Sequence, residues 1–291
     1  MSSHQHYEDG ERTSLVSVVV NALLFIFKIF AGLAGNSQAM TADALDTLGD
    51  VATSTGMIVG FRIAKQPPDP EHPYGHGKAE SIIAKLLALV LIGIGLKVAF
   101  NAGHTLLFHE AYMPGMIALV AAVISIIVKL ALFQYTNLTA KKISSTSMTV
   151  YSWNIATDAL SSFVALIGIA GARLFGVYYL DSIAALILSA FIIRTGLQGF
   201  HRAYDELMDG APSGAVIEGI RRITLMNKSV KSIKDIKVRK MGLDLLVDMT
   251  ICVDKNITVE RGHRITDLVK NDIMNRVTSA KEVFIHVEPF K

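Results

Sequence analysis

Met40-Thr-Ala-Asp-Ala-Leu-Asp-Thr-Leu-Gly-Asp-Val-Ala-Thr-Ser54 places Asp43, Asp46 and Asp50 inside a stretch that otherwise looks membrane-embedded. A carboxylate in a bilayer is costly and marks a functional site by default. Residues four apart stack on one face of a helix, so Asp46 and Asp50 present their carboxylates together. Asn154 and Asp158 repeat that spacing in a second apolar stretch. Two such faces meeting would offer three carboxylates and one amide to a small cation, which points to metal-ion transport.

The 291 residues have a mean hydropathy of +0.43, and the apolar ones are clustered. Up to about Phe200 the chain is long apolar runs with short polar breaks; after Asp209 it is charged and soluble-looking. The reading is a polar cytosolic arm over 1–13, a membrane domain over 14–208 and a small cytosolic domain over 209–291, the last of a size that folds as a unit. The arm carries Glu8, Asp9 and Glu11, lacks a signal-peptide layout and is expected to be without order. A net charge of +3 suggests no nucleic-acid partner, and the single Cys252 excludes an intrachain disulfide framework or a Cys-rich metal site.

A membrane span needs about 20 mostly apolar residues. Six stretches qualify: Ser14–Ala34, Met40–Ile63, Ser81–Leu107, Pro114–Tyr135, Val150–Phe175 and Tyr179–Phe200. Within them Lys28, Lys85, Lys97, Lys129 and Arg194 reach an interface or line the bundle, and Gly93, Gly95, Gly168 and Gly171 allow close helix approach. Arg62, Lys65, Lys78, Lys141, Lys142 and Arg202 fall on one side, while the segments at Gly35–Ser37 and at His109 and Glu110 have no Lys or Arg. The positive-inside rule then puts both termini in the cytosol, with only Arg173 against it.

The tail reads as αββαβ. A helix covers Ala215–Met226 and a strand Ser232–Lys240; Met241-Gly242 turns into a strand from Leu243 to Asp254. There Leu243, Leu245, Val247, Met249, Ile251 and Val253 alternate with polar residues, the mark of a half-buried strand. Thr258 caps a helix in which Ile265, Val269, Ile273 and Val277 recur every four residues, and Val283–Glu288 closes the sheet. The fold class is a six-span helical bundle followed by a ferredoxin-like α+β domain, a shape that by itself specifies no function.

The order of parts resembles the cation diffusion facilitator family, and within it a manganese-type bacterial member. The matching pieces are Asn21-Ala-Leu-Leu-Phe-Ile-Phe-Lys28, Ala42 to Asp50, the loop Asp69-Pro-Glu-His-Pro-Tyr-Gly-His-Gly-Lys-Ala-Glu80, and Asn154-Ile-Ala-Thr-Asp158. The resemblance covers nearly the whole chain. It implies a homodimer with six spans and a cytosolic tail, in the cell membrane, that exports divalent metal in exchange for protons by alternating access.

Asp46, Asp50 and Asp158 offer hard anionic oxygens and Asn154 a neutral one. Zinc usually recruits nitrogen or sulfur, whereas oxygen sets suit manganese, magnesium or calcium. Zinc-preferring members that this chain resembles have His where Asn154 stands, so the departure favours Mn²⁺, with Fe²⁺ a near competitor and Zn²⁺ or Co²⁺ export the alternative. Helix–helix hydrogen bonding would be the structural alternative for these four. Asp43 supports the ligands from one step behind, carries a proton, or simply accepts a hydrogen bond; Asn21 and Lys28 read as packing and interface anchors.

Two further clusters follow. Asp69, His72 and His76 form a plausible cytosolic-loop metal site, matching a peripheral site of the family, or a hydrogen-bonded turn. Lys78 resembles the position that pairs with an acid after the sixth span, here Asp209. In the tail, Asp248, His263, His286 and Glu288 could hold regulatory metal across the dimer. Zinc-type relatives have His at the positions of Asp248 and Lys234, and a lysine repels a cation, so a full binuclear zinc site is disfavoured. His4, His6, His104, His109 and His201 read as bystanders or interfacial residues.

An intramembrane hydrolase would want a His-Glu-x-x-His helix, which does not occur, and no Walker loop supports ATP-driven pumping. A membrane metal sensor without flux would share every ligand and stays open.

Overall fold

The computed structural model describes the chain except residues 1–2, 65, 109–111, 143–145, 243 and 291; the side chains of 3–11, 57, 61, 146–148 and 150 are also outside the description. Lys65, His109, Glu110 and Leu243, and the side chains of His4, His6, Glu8, Asp9 and Glu11, therefore lie outside the described residues.

Six long helices come first: α1 Ser3–Ala34, α2 Gln38–Ala64, α3 Ala79–Phe108, α4 Met116–Lys142, α5 Thr146–Phe175 and α6 Tyr179–Leu207. The arm expected to lack order is helical, since α1 begins at Ser3. Gly10 falls within it, but no proline intervenes to stop it. For the same reason α4 runs past Tyr135 to Lys142 and α6 past Phe200 to Leu207. Five of the six helices are long and apolar enough to cross a membrane. The remaining one, α2, has the length but carries Asp43, Asp46 and Asp50, which lower its hydropathy.

The chain divides into two compact units, residues 1–56 with 86–199 and residues 57–85 with 200–291. In the first, α1 ends at a turn where Asn36 takes a φ of 45°. The new helix α2 is capped from α6: Asp181 Oδ2 accepts from the Gln38 N–H at 2.6 Å, and Asp181 Oδ1 from the Ser37 hydroxyl at 2.6 Å. A carboxylate there satisfies orphan N–H groups and complements the helix dipole. Gly168 lets α5 lie against α6, since an added Cβ would sit 3.0 Å from the Leu180 carbonyl oxygen. At Gly93, expected at a helix contact, an added Cβ would meet nothing within 4 Å outside its own helix backbone. The core is a small-residue seam of Ala31, Ala42, Ala121, Ala122, Ala165, Ala184 and Ala185 around Met40, Ile169 and Leu188.

The second unit contains α7 Gly214–Met226, β1 Ser232–Met241, β2 Asp244–Val253, α8 Val259–Arg276 and β3 Ala280–Pro289. The sheet order is β1-β2-β3, with β2 antiparallel to β1 and parallel to β3. This is the expected αββαβ order. Gly242 makes the hairpin at φ 63°, where a side chain would be strained. Leu245, Val247, Met249, Ile251 and Val253 are buried as the alternation requires, and Leu246 is buried as well. Thr258 caps α8 by accepting from the Arg261 N–H, and Ile265, Val269 and Ile273 lie in the core with Val277 packed at its margin.

Candidate metal centre

Three of the four expected intramembrane ligands share one electrostatic neighbourhood. Asp50 interacts with Asp158, Lys129 and Asp46; Asp158 interacts with Lys129 and Asp46. Asp46 and Asp50 come from α2 and Asp158 from α5, and all three are half-buried. Ser161, one turn along α5, hydrogen-bonds Asp46. Asp50 Oδ2 is enclosed and has no hydrogen-bond partner. Buried polar atoms are usually satisfied, so an enclosed, unpartnered carboxylate oxygen is an open donor for a cation. Asn154 lies one turn before Asp158 and is exposed.

The carboxylates share a field without closing to ligand spacing. Among the described residues, the group whose three ligand atoms all lie within 4.8 Å of one another is the loop trio, not this one.

Lys28 and Lys129, which the sequence allows either at an interface or lining the bundle, are in the middle of this network. Lys28 Nζ lies 2.7 Å from Asp43 Oδ2, with both side chains at 0% exposure. It also donates to Thr47 Oγ1 and Ser162 Oγ, each at 3.0 Å, while Ser162 donates to Asp43 Oδ1 at 3.0 Å. Asp43 is therefore committed to an ion pair. Lys129 of α4 is 1% exposed and donates to the main-chain oxygen of Asp158 at 3.2 Å. The available signal was their position: Lys28 and Lys129 fall well inside apolar runs, too far from either end to snorkel easily. A cavity of about 250 Å³ beside the α1–α2 turn is lined by Asn36, Ser37, Gln38, Thr41 and Asn101, and by none of the expected ligands.

The loop gathers its three residues. His72 Nδ1 lies 3.3 Å from Asp69 Oδ1, and His76 Nε2 lies 3.4 Å from Asp69 Oδ2. The two rings are 4.6 Å apart. The backbone builds this: Gly75 takes φ 84° and donates to the His72 carbonyl at 2.9 Å, while the His72 N–H donates to Asp69 Oδ1 at 2.6 Å. That N–H bond, with lesser help from the imidazoles, holds the Asp69 carboxyl below the usual range. A carboxylate and two imidazoles in reach of one point suit a divalent ion. Nearby, Lys78 Nζ donates to Asp209 Oδ1 at 2.9 Å, and Arg239 reaches Asp209 Oδ2 at 3.3 Å. The expected Lys78–Asp209 pair is present within one chain.

One chain does not assemble the tail residues. Asp248 and His286 are exposed on the open face of the sheet, where Asp248 is paired in register with Lys237 and Phe284, and His286 with Thr250. His263 lies 3.6 Å from Asp267 on its own helix. Both oxygens of Glu288 accept from Lys234 Nζ, at 2.7 and 2.6 Å. Lysine, noted in the sequence as a poor ligand, takes up one of the four candidate donors.

Comparison with known proteins matches both parts of the chain in order. The model of the cation efflux transmembrane domain matches residues 14–208, and that of the cation efflux protein cytoplasmic domain, a dimer-type domain, matches residues 212–290. Metal tolerance protein C1 of Arabidopsis thaliana is 32% identical over 98% of this chain, which spans 64% of that protein's length. The manganese efflux system proteins MneP and MneS of Bacillus subtilis are 28% and 29% identical over 97% and 100% of this chain and 96% and 99% of their own. The magnetosome protein MamM of Paramagnetospirillum magneticum is 31% identical over 94% of this chain and 86% of its own. With both halves matched in order, the chain belongs to the cation efflux, or cation diffusion facilitator, family of divalent-metal transporters.

Proposed function

We propose that this chain exports Mn²⁺ across the cell membrane in exchange for protons, as a homodimer with both termini in the cytosol. The observation that carries the metal choice is the ligand set: Asp46, Asp50, Asn154 and Asp158 offer oxygen alone. The enclosed, unpartnered Oδ2 of Asp50 supports a cation-binding role. The relatives named for manganese efflux, similar over their whole length, point the same way.

Coupling follows from charge. Repelling carboxylates in low dielectric are relieved either by a divalent cation or by protons, so the two compete for one site. Alternating opening of the bundle then exchanges metal outward for protons inward. The loop trio receives metal at the membrane surface, and the open sheet face of the tail is where a second copy would bring Asp248, His263, His286 and Glu288 of two chains together.

The test is flux into proteoliposomes under an imposed pH gradient, with Mn²⁺, Fe²⁺, Co²⁺ and Zn²⁺ in parallel. Mn²⁺ flux that rises with the gradient and is abolished by Asp50→Asn supports the reading. Flux independent of the gradient overturns antiport, equal Zn²⁺ flux overturns the metal choice, and absence of any flux favours a sensor.

A further inference from the structure

Lys129 has the properties of a designed charge. It is an ammonium at 1% exposure on α4, and an uncompensated buried charge is strongly unfavourable. Its electrostatic partners, strongest first, are Asp50, Asp158, Asp43 and Asp46. Its hydrogen bond goes to the Asp158 main-chain oxygen and not to a carboxylate. It therefore supplies positive charge to the acids without a hydrogen bond to a carboxylate, and Asp50 Oδ2 stays unpartnered.

Lys28 plays a different part. It is committed to Asp43 at 2.7 Å and to the hydroxyls of Thr47 and Ser162, so that pair cancels within itself. What remains is three carboxylates against the single ammonium of Lys129, two net negative charges. One divalent cation neutralises that remainder.

We infer that Lys129 is a built-in counter-charge that sets the transport site to the charge of one divalent cation and weakens its hold on that cation enough for release. The inference rests on the assignment of Asp46, Asp50, Asn154 and Asp158 as the transport site. Without Lys129 the loaded site would keep one uncompensated negative charge in a low dielectric, and the empty site would attract a cation more strongly. Lys129 is thus a positioning residue for charge, acting on the metal through space.

The test is Mn²⁺ titration by calorimetry on the purified full chain, in a His72→Ala/His76→Ala background that removes the loop trio. Lys129→Met and Lys129→Gln should each tighten Mn²⁺ binding by about tenfold or more, the scale of one unit charge a few ångströms away at an intermediate dielectric. Lys129→Arg, which restores the charge, should bring affinity back toward that of the parent. The Mn²⁺-induced rise in melting temperature should widen in the two neutral variants. If Asp50→Asn leaves affinity unchanged, the transport-site assignment fails. If Asp50→Asn loses binding while both neutral variants stay at the parental affinity or weaken, the assignment stands and the counter-charge is overturned. Neutral variants that do not fold even in saturating Mn²⁺ overturn it in favour of a packing role.

Discussion

Lys28 and Asp43 form an ion pair at 2.7 Å between α1 and α2 with neither side chain exposed. Asp43 sits three residues before Asp46, yet its charge is spent on Lys28 and on the Ser162 hydroxyl. The pair pins the helix that carries Asp46 and Asp50, two of the proposed transport carboxylates, to the helix beside it.

Removing one partner should therefore cost stability far more than transport chemistry. Lys28→Met leaves the Asp43 charge buried and alone, a loss of about 3–5 kcal/mol. Lys28→Met/Asp43→Leu should recover much of it, because replacing both partners by apolar groups is close to neutral. Thermal unfolding in detergent measures the cycle. A double variant as unstable as the single one would refute the pair as the cause.

Asn154→His should move metal preference toward zinc. It adds a nitrogen donor to an all-oxygen set, and zinc gains more from imidazole than manganese does. An increase of roughly tenfold in the Zn²⁺-to-Mn²⁺ affinity ratio, about 1.4 kcal/mol, is the expected scale. A metal-sensitivity panel in cells lacking their own exporters reads it directly. An unchanged ratio would mean that residue 154, which is exposed in one chain, does not face the ion.

The architecture was legible because its signals are local. The order of the helices, the period-two burial of β2 and the Thr258 cap are each written in neighbouring residues, whereas several helices run past the expected span ends. The i,i+4 pairs Asp46/Asp50 and Asn154/Asp158 could be placed on helices for the same reason. What could not be read was pairing across helices. Nothing local tells that Lys28 meets Asp43, that Lys129 joins the acids, or that Asp181 caps α2 from α6; each depends on which helix lies beside which. Depth within an apolar run fits the bundle-lining reading of Lys28 and Lys129, but it names neither the helix nor the acid that each one meets.

The loop trio should hold one metal equivalent that acid releases. His72→Ala/His76→Ala should lower bound Mn²⁺ or Zn²⁺ by one per chain, counted by elemental analysis after desalting. Imidazole binds metal only when neutral, so protons compete at the two histidines. The Asp69 carboxyl is held below its usual range by the His72 N–H. Acid release should thus disappear with the histidines. Persistence of pH-dependent binding in the double variant would place it elsewhere.

Asp209 should confer a small, acid-sensitive stabilisation. The Lys78 hydrogen bond, and then the charges of Lys78 and Arg239, hold its carboxyl below the usual range. A lowered folded-state value means the contribution is complete above the ordinary carboxylate value of about 3.9 and is lost as pH falls through the lower value. The side chain is 43% exposed, so solvent screening limits the pair to about 0–1 kcal/mol. Melting curves between neutral pH and pH 3 should fall less steeply for Asp209→Asn than for the parent. Identical slopes would remove Asp209 from the account.

Lys234 should act against metal in the tail. Its ammonium donates to both oxygens of Glu288, and Glu288 in turn holds that ammonium above its usual value. A cation recruited by Glu288 must displace Lys234 and then bear its repulsion. Lys234→Ala removes both obstacles at a surface position where the pair itself contributes little. In the full chain carrying Asp50→Asn and His72→Ala/His76→Ala, so that the membrane and loop sites are silent, Lys234→Ala should increase residual metal binding. Adding Glu288→Gln should abolish the gain. If Lys234→Ala binds no more metal than its parent, the salt bridge is not what restrains the tail, and the open sheet face serves pairing with a second copy without an ion.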